Sequence, residues 1–322
     1  SLLADIAAAR ERGDSRIWWL GQSGFLLLAG GKTILFDPYL SDSLTKKYAN
    51  TDKPHTRVTE RAVAPERLAP IDVITSSHNH TDHLDAETLA PLLAANPQAK
   101  LLLPRANREF ALLRLDQFLK GSRETMRAVP PHPCPLPQGE GDVRRLVTEG
   151  AAFSVDYQVN DRLVEIDAGE NVTVAGVEFH GIPAAHPSVE RDEHGRCRFL
   201  GYVARIGSVA VYHSGDTVMH EGLADALRRC SPDVALVPIN GNHPERGVAG
   251  NLNGVEAARL AKAIGARLAI PHHYDMFEFN SATPDEFEAE CRRIGQPFRT
   301  LRHGEGWDLS RDQLRFNRTE KV

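Results

Sequence analysis

The chain has only four cysteines among 322 residues, Cys134, Cys197, Cys230 and Cys291. No two of them stand at the short spacing of a metal-binding pair or a compact disulfide frame, which argues against a Cys-rich zinc site and against a cystine-stapled fold. They read as reduced thiols, as expected of a cytoplasmic protein. Long apolar runs are also missing: none approaches the roughly 20 residues of a membrane span. Residues 1–5 lack the charged-then-apolar stretch of a secretory signal, so neither export nor membrane insertion is expected. Positive charge is scarce as well. With 38 Lys and Arg against 43 Asp and Glu, the formal net charge is −5, which argues against a broad basic surface for nucleic acid.

What is present is ordinary globular material, 41% hydrophobic and 25% charged, enough for a large core in one domain spanning residues 1–322. A helix is expected near residues 2–12, then three short strands near 16–20, 25–29 and 33–37 separated by glycine-containing turns. Apolar stretches at 100–103, 234–237 and 268–270 alternate with amphipathic segments near 85–95, 105–120, 221–230, 254–265 and 284–294. That alternation predicts sheets covered by helices on their outer faces. Two regions break it. Residues 41–69 are polar, with Lys46, Lys47, Lys53, His55 and Arg57 and little apolar periodicity; they read either as a plain surface loop or as a flap beside a site. Residues from about 130 to 160 open with PPHPCPLPQGEG, too rich in Pro and Gly to join a sheet, and read as a surface insertion.

One string carries the chemistry. His78-Asn79-His80-Thr81-Asp82-His83 follows directly on the apolar run at 71–77. Imidazole nitrogen and carboxylate oxygen suit zinc and similar divalent ions. Four such donors in six residues converge only if the chain turns sharply, as it does where a strand runs into a loop. In an extended tip residues 78, 80 and 82 share a face, and the turn into a helix near Asp85 carries His83 to a second cation. The competing local reading is a polar loop that caps that helix. A two-metal site needs about seven protein ligands, so further His and Asp are required at later strand ends. His186, Asp216 and His273 meet that requirement, each closing an apolar stretch, where catalytic groups usually sit.

The ordered set Trp18-Trp19-Leu20-Gly21-Gln22-Ser23-Gly24, Phe36-Asp37-Pro38, the histidine string, Tyr212-His213-Ser214-Gly215-Asp216 and Ile270-Pro271-His272-His273-Tyr274-Asp275 resembles the metallo-β-lactamase superfamily. Within it the similarity is to the branch of L-ascorbate-6-phosphate lactonase and the N-acyl phosphatidylethanolamine phospholipase D-like hydrolases, and it covers most of residues 15–310. The resemblance implies an α/β fold of four layers, an αββα sandwich with metals at one edge of the sheet pair. It implies that His78, His80 and His186 bind one divalent ion, that Asp82, His83 and His273 bind a second, and that Asp216 bridges them. The phospholipase-like relatives keep a histidine at the place of His186, which the lactonase lacks. His272 competes with His273 for the last position. Asp37 corresponds to the family's buried aspartate behind the histidine loop, although locally it reads equally well as an Asp-Pro turn starter. His213, three residues before Asp216, is expected to support it.

The activity implied is hydrolysis by a water shared between two ions, zinc or manganese, which lower its pKa to about 7 and polarise the scissile group. Asp82 and Asp216 are the carboxylates closest to that chemistry. Redox use is disfavoured, because di-iron relatives usually carry glutamate where this chain has His80. A small lactone, such as that of a phosphorylated sugar acid, is the first substrate expectation. A phosphodiester or phospholipid-like substrate is the second, and a non-catalytic metal-binding protein the third. The loop at 240–253 resembles the lactonase's Asn-Pro-Arg-Gly loop. There Arg246 offers a planar fork for phosphate or carboxylate, or is simply a solvated arginine, and Asn251 and Asn253 offer either substrate contacts or helix caps. Members of this branch often self-associate, so a homo-oligomer is a further expectation.

Overall fold

The computed structural model describes residues 1–121 and 157–310. Most of the expected insertion at 130–160 lies outside the described residues; its last four form the short helix Tyr157–Asn160.

Thirteen strands are described, in chain order β1 (Arg16–Gly21), β2 (Gly24–Ala29), β3 (Lys32–Phe36), β4 (Val73–Thr75), β5 (Lys100–Pro104), β6 (Leu163–Ile166), β7 (Asn171–Val174), β8 (Val177–Pro183), β9 (Leu200–Ile206), β10 (Val209–His213), β11 (Val234–Pro238), β12 (Leu268–His272) and β13 (Gly306–Asp308). They form two sheets, one ordered β13-β1-β2-β3-β4-β5-β6 and the other β12-β11-β10-β9-β8-β7. Each sheet is antiparallel at one side, through β1-β2-β3 and β7-β8-β9-β10. Each becomes parallel at the other, through β3-β4-β5-β6 and β10-β11-β12.

Side-chain alternation explains the layering. On β1 and β2, Ile17, Trp19, Phe25 and Leu27 point into the core shared with Phe179, Tyr202 and Val211 of the second sheet. Their neighbours Trp18, Leu20, Leu26 and Leu28 point outward, against Ile6 and Ala9 of helix Leu2–Arg12, Leu89 and Leu92 of helix Ala86–Ala95, and Leu115 of helix Arg108–Gly121. Period-two alternation between apolar residues on both faces requires cover on both. On the second sheet β10, β11 and β12 are buried along their whole length, as parallel strands covered on both faces are. The outer cover of this sheet comes from Ala257 and Leu260 of helix Gly254–Ala263 on β11 and β12, backed by Phe287 of helix Asp285–Ile294, and from Leu223 and Leu227 of helix Leu223–Cys230 on β8. The result is helix, sheet, sheet, helix, the four-layer αββα sandwich. No helix of the described residues is long and apolar enough to cross a membrane.

Two features were not legible beforehand. The polar stretch at 41–69 contains helix Ser43–Tyr48, because Leu44 and Tyr48 join Tyr39, Met276 and Phe277 in a small separate apolar cluster. Residues 306–308 pair with β1 as an edge strand, too short to leave a periodic signal.

Candidate metal centre

Every expected ligand lies at the C-terminal end of a strand. β4 stops at Thr75 and delivers the histidine string, β8 leads to His186, β10 to Asp216 and β12 to His273. These ends of both sheets meet at one edge, so residues up to 195 positions apart come together. His78, His80, His186 and Asp216 form one cluster with donor atoms within 4.8 Å of one another, and Asp82, His83 and His273 form a second. Asp216 joins the two: its Oδ2 is 3.7 Å from His186 Nε2, and its Oδ1 is 3.3 Å from His83 Nε2 and 2.8 Å from His273 Nε2.

The donor atoms are left free while the opposite ring nitrogens are anchored. The Ser77 hydroxyl donates to Asp37, so it can only accept from His78 Nδ1, 2.9 Å away. His83 Nδ1 donates to Asp37 Oδ2 at 2.7 Å, and His186 Nδ1 donates to the Gly250 carbonyl at 2.8 Å. Each bond places a proton on Nδ1 and turns Nε2 toward the cluster. His78 Nε2, His83 Nε2, His273 Nε2 and Asp216 Oδ1 are all buried without a hydrogen bond of acceptable geometry, their nearest polar contacts being one another. Leaving one such group unpaired costs about 1–3 kcal/mol. Four gathered in the two adjoining clusters fit cations that take the place of hydrogen bonds.

Charge follows the same arrangement. Burial drives His78 well below the ordinary histidine range, with His83 and His80 adding to the effect, and pushes His186 down to about 4. Both are neutral, as ligands must be. Burial also works against charge on His83, but Asp216 and Asp82 outweigh it and raise its pKa well above the usual value. Burial would raise Asp216, yet His273 and His83 hold it well below the ordinary carboxylate range.

Asp37 is an acceptor hub and not merely a turn starter. It is fully buried and receives the Ser77 amide at 3.1 Å, the Thr75 hydroxyl at 2.9 Å and His83, fixing the start and end of the histidine loop to β3. His213 takes the Gly215 amide on Nδ1 at 3.2 Å, so its Nε2–H donates to the Ser23 carbonyl at 2.8 Å. It thereby ties the Asp216 turn to the β1–β2 turn. Gly215 has φ of 58°, and a Cβ there would sit 2.5 Å from Ser77 Cβ, so the close approach of the two ligand loops requires glycine. His272 faces away from the clusters: its nitrogens meet Ser23 Oγ at 3.2 Å and Ser214 Oγ at 3.3 Å, and its ring stacks 5.4 Å from His213.

The loop at 240–253 is occupied differently from expectation. Arg246 donates to the Asn240 carbonyl at 2.7 Å, to Asn280 Oδ1 at 3.3 Å and to the Ser281 carbonyl at 3.2 Å, pinning two loops together. Asn253 is the helix cap, in a reciprocal capping box with Glu256. Asn251 is not a cap; its Nδ2 donates to Asn240 Oδ1 at 3.0 Å.

Four contributors carried no assigned role in the sequence. Ser77 and the Gly250 carbonyl hold ligand histidines, and a backbone carbonyl leaves no sequence signal. Gln22, at φ of 47°, places its amide 3.0 Å from both Asp82 Oδ2 and His273 Nδ1; its lone hint was a polar residue between glycine and serine in a strand turn. Lys47, in the region at 41–69, reaches Thr81 of the histidine string, Nζ to Oγ1 3.3 Å. That region leans over the metal edge: Lys53 Nζ donates to the Gly247 carbonyl at 2.7 Å, and His55 packs against Tyr48, Phe277 and Phe279.

The fold and this edge are those of a known class. The Beta-lactamase superfamily domain matches residues 16–273, and the chain belongs to that superfamily. It is 28% identical over 299 residues to a UPF0173 metal-dependent hydrolase of Aeropyrum pernix, covering 92% of this chain and 98% of that one. It is 29% identical over 291 residues to another from Opitutus terrae, covering 90% and 98%. Among solved structures, it is similar in fold to an isothiocyanate hydrolase from Delia radicum gut bacteria, with a TM-score of 0.61, 16% identity, and coverage of 92% and 99%. The chain is thus a metal-dependent hydrolase of the metallo-β-lactamase superfamily.

Proposed function

We propose that the chain is a binuclear hydrolase, with His78, His80, His186 and Asp216 holding one divalent ion, and Asp82, His83, His273 and the shared Asp216 holding the other. The observation that carries this reading is the set of four buried donor atoms without a hydrogen bond, divided between two adjoining clusters. Zinc or manganese suits the nitrogen and carboxylate donors. Two such ions supply a water acidic enough to ionise near neutral pH and polarise an ester-type carbonyl or phosphoryl oxygen. The chain's own groups hold the imidazoles in the required tautomer and shield the site from bulk water.

The preferred substrate is a small lactone bearing an anionic group. Lys47 supports the anion, because its ammonium stands beside Thr81 at the lip of the site, whereas the Arg246 donors are directed at loop carbonyls. The same lip would accept a phosphodiester, which is the second reading. A cytoplasmic location and self-association belong to the proposal.

The test is elemental analysis of the purified protein, together with turnover of a lactone and phosphodiester panel after loading with zinc or manganese. About two ions per chain and ring opening of anionic lactones are expected. Turnover of bis(p-nitrophenyl) phosphate instead would move the assignment to the phosphodiesterase reading. Fewer than one ion and no turnover under any loading would overturn both.

A further inference from the structure

Of the three anchored ligand imidazoles in the histidine loop and at His186, each meets a group that accepts: the committed Ser77 hydroxyl, the Asp37 carboxylate or the Gly250 carbonyl. His273 differs, since its Nδ1 meets an amide that can present either a donor or an acceptor. From this difference, and resting on the binuclear reading above, we propose that Gln22 is the positioning residue of the second half-site, coupling Asp82 to His273 and setting the affinity for the second ion alone.

The geometry is specific. A primary amide carries two protons, and the single Nε2 of Gln22 lies 3.0 Å from Asp82 Oδ2 and 3.0 Å from His273 Nδ1, so it can donate to both. In that arrangement one amide ties a carboxylate and an imidazole of the same half-site. When His273 offers Nε2 as a ligand its ring proton is on Nδ1, and the amide turned to present Oε1 accepts it, with Asp82 then directed to the ion.

Gln22 is also held firmly enough to do this. Its side chain is buried, its carbonyl accepts from Trp19 Nε1 at 3.0 Å and from the His273 amide at 3.2 Å, and Trp19 stacks on Tyr274 at 4.2 Å. The turn and the His273 loop are therefore tied to each other through backbone and ring contacts. Gln22, Asp37 and His273 all hold positive φ, at 47°, 36° and 64°, the kind of backbone strain that gathers where a site is preorganised.

The experiment is a calorimetric zinc titration of the metal-free full chain, wild type against Q22L and the unbranched Q22M, with thermal melting to verify the fold. Wild type should take two equivalents. Both variants should bind the first as wild type does and the second about 10–100-fold more weakly, the usual scale for losing a residue that orients a ligand. If Q22L does not fold, Q22M carries the test. Two equivalents at wild-type affinity in the variants, or equal weakening of both, would overturn the role of Gln22 while leaving the binuclear reading standing. A single equivalent in the wild type would overturn that reading and the proposal with it.

Discussion

The two donor clusters draw on the same loop but are held in different ways. His78 and His186 are locked by acceptors, one a serine hydroxyl whose proton is committed to Asp37 and the other a backbone carbonyl, and burial keeps both rings neutral. The second cluster has one comparable lock, Asp37 on His83, and one adaptable contact, Gln22 on His273. It also concentrates charge, with His83 raised between Asp216 and Asp82 against the cost of its burial. The difference shows how a shared scaffold can fix one donor cluster through committed acceptors and leave the other resting on an amide that presents either a donor or an acceptor. Asp216 is the element that prevents the two from being independent.

The largest effect should therefore come from removing the shared carboxylate. D216A deletes the atom 2.8 Å from His273 Nε2 and 3.3 Å from His83 Nε2 as well as the oxygen facing His186. Hydrolysis is expected to fall by ~10³-fold or more, on the order of 4 kcal/mol of barrier, and metal content to drop at both positions. Elemental analysis and turnover check this, and a variant that keeps two ions and full activity would remove Asp216 from the centre.

A smaller and more discriminating comparison uses adjacent histidines. H273A should lose the second ion and nearly all activity while retaining the first. H272A should retain both ions, because its ring faces Ser23, Ser214 and His213 inside the core. It should instead destabilise the fold by about 2–4 kcal/mol through a buried cavity and the loss of the imidazole partner of Ser23, the Ser214 hydroxyl keeping the Gly215 carbonyl. Metal content and chemical denaturation of the two variants separate the roles; loss of an ion in H272A alone would reverse them.

That pair also marks what could be read from the residues alone. Strands β1, β2, β3, β5, β11 and β12 and most helices were legible because their apolar periodicity is strong and their turns contain glycine. The histidine string was legible because its four donors are contiguous. His186, Asp216 and His273 are single residues, visible through their position at strand ends and their order in the family pattern. Which of His272 and His273 faces the donor clusters depends on the backbone at the end of β12, where His273 turns to φ of 64°; no periodicity encodes that. Helix Ser43–Tyr48 was hidden because its burial is against residues 276 and 277, more than 200 positions away. The Gly250 carbonyl is a backbone atom, and Gln22 acts through a turn whose partner lies 251 residues on.

The smallest effect tests the lip of the site, where two cations compare as the donor clusters do. Arg246 is desolvated by burial, which lowers its pKa, and its fork is directed at the Asn240 and Ser281 carbonyls; it holds the loop that carries Gly250, the acceptor of His186. Lys47 is only partly buried and ends beside Thr81. R246A should therefore lower stability by about 1–2 kcal/mol and raise KM equally for anionic and neutral substrates, since what changes is the position of the loop. K47A should leave stability almost unchanged and raise KM about tenfold for anionic substrates only, the scale of one charge-assisted contact near solvent. Steady-state kinetics on a matched pair of charged and neutral lactones measures both. Selectivity appearing in R246A and absent from K47A would mean that the guanidinium leaves its carbonyls when substrate arrives, and that the glycine-rich loop, and not the segment at 41–69, reads the charge.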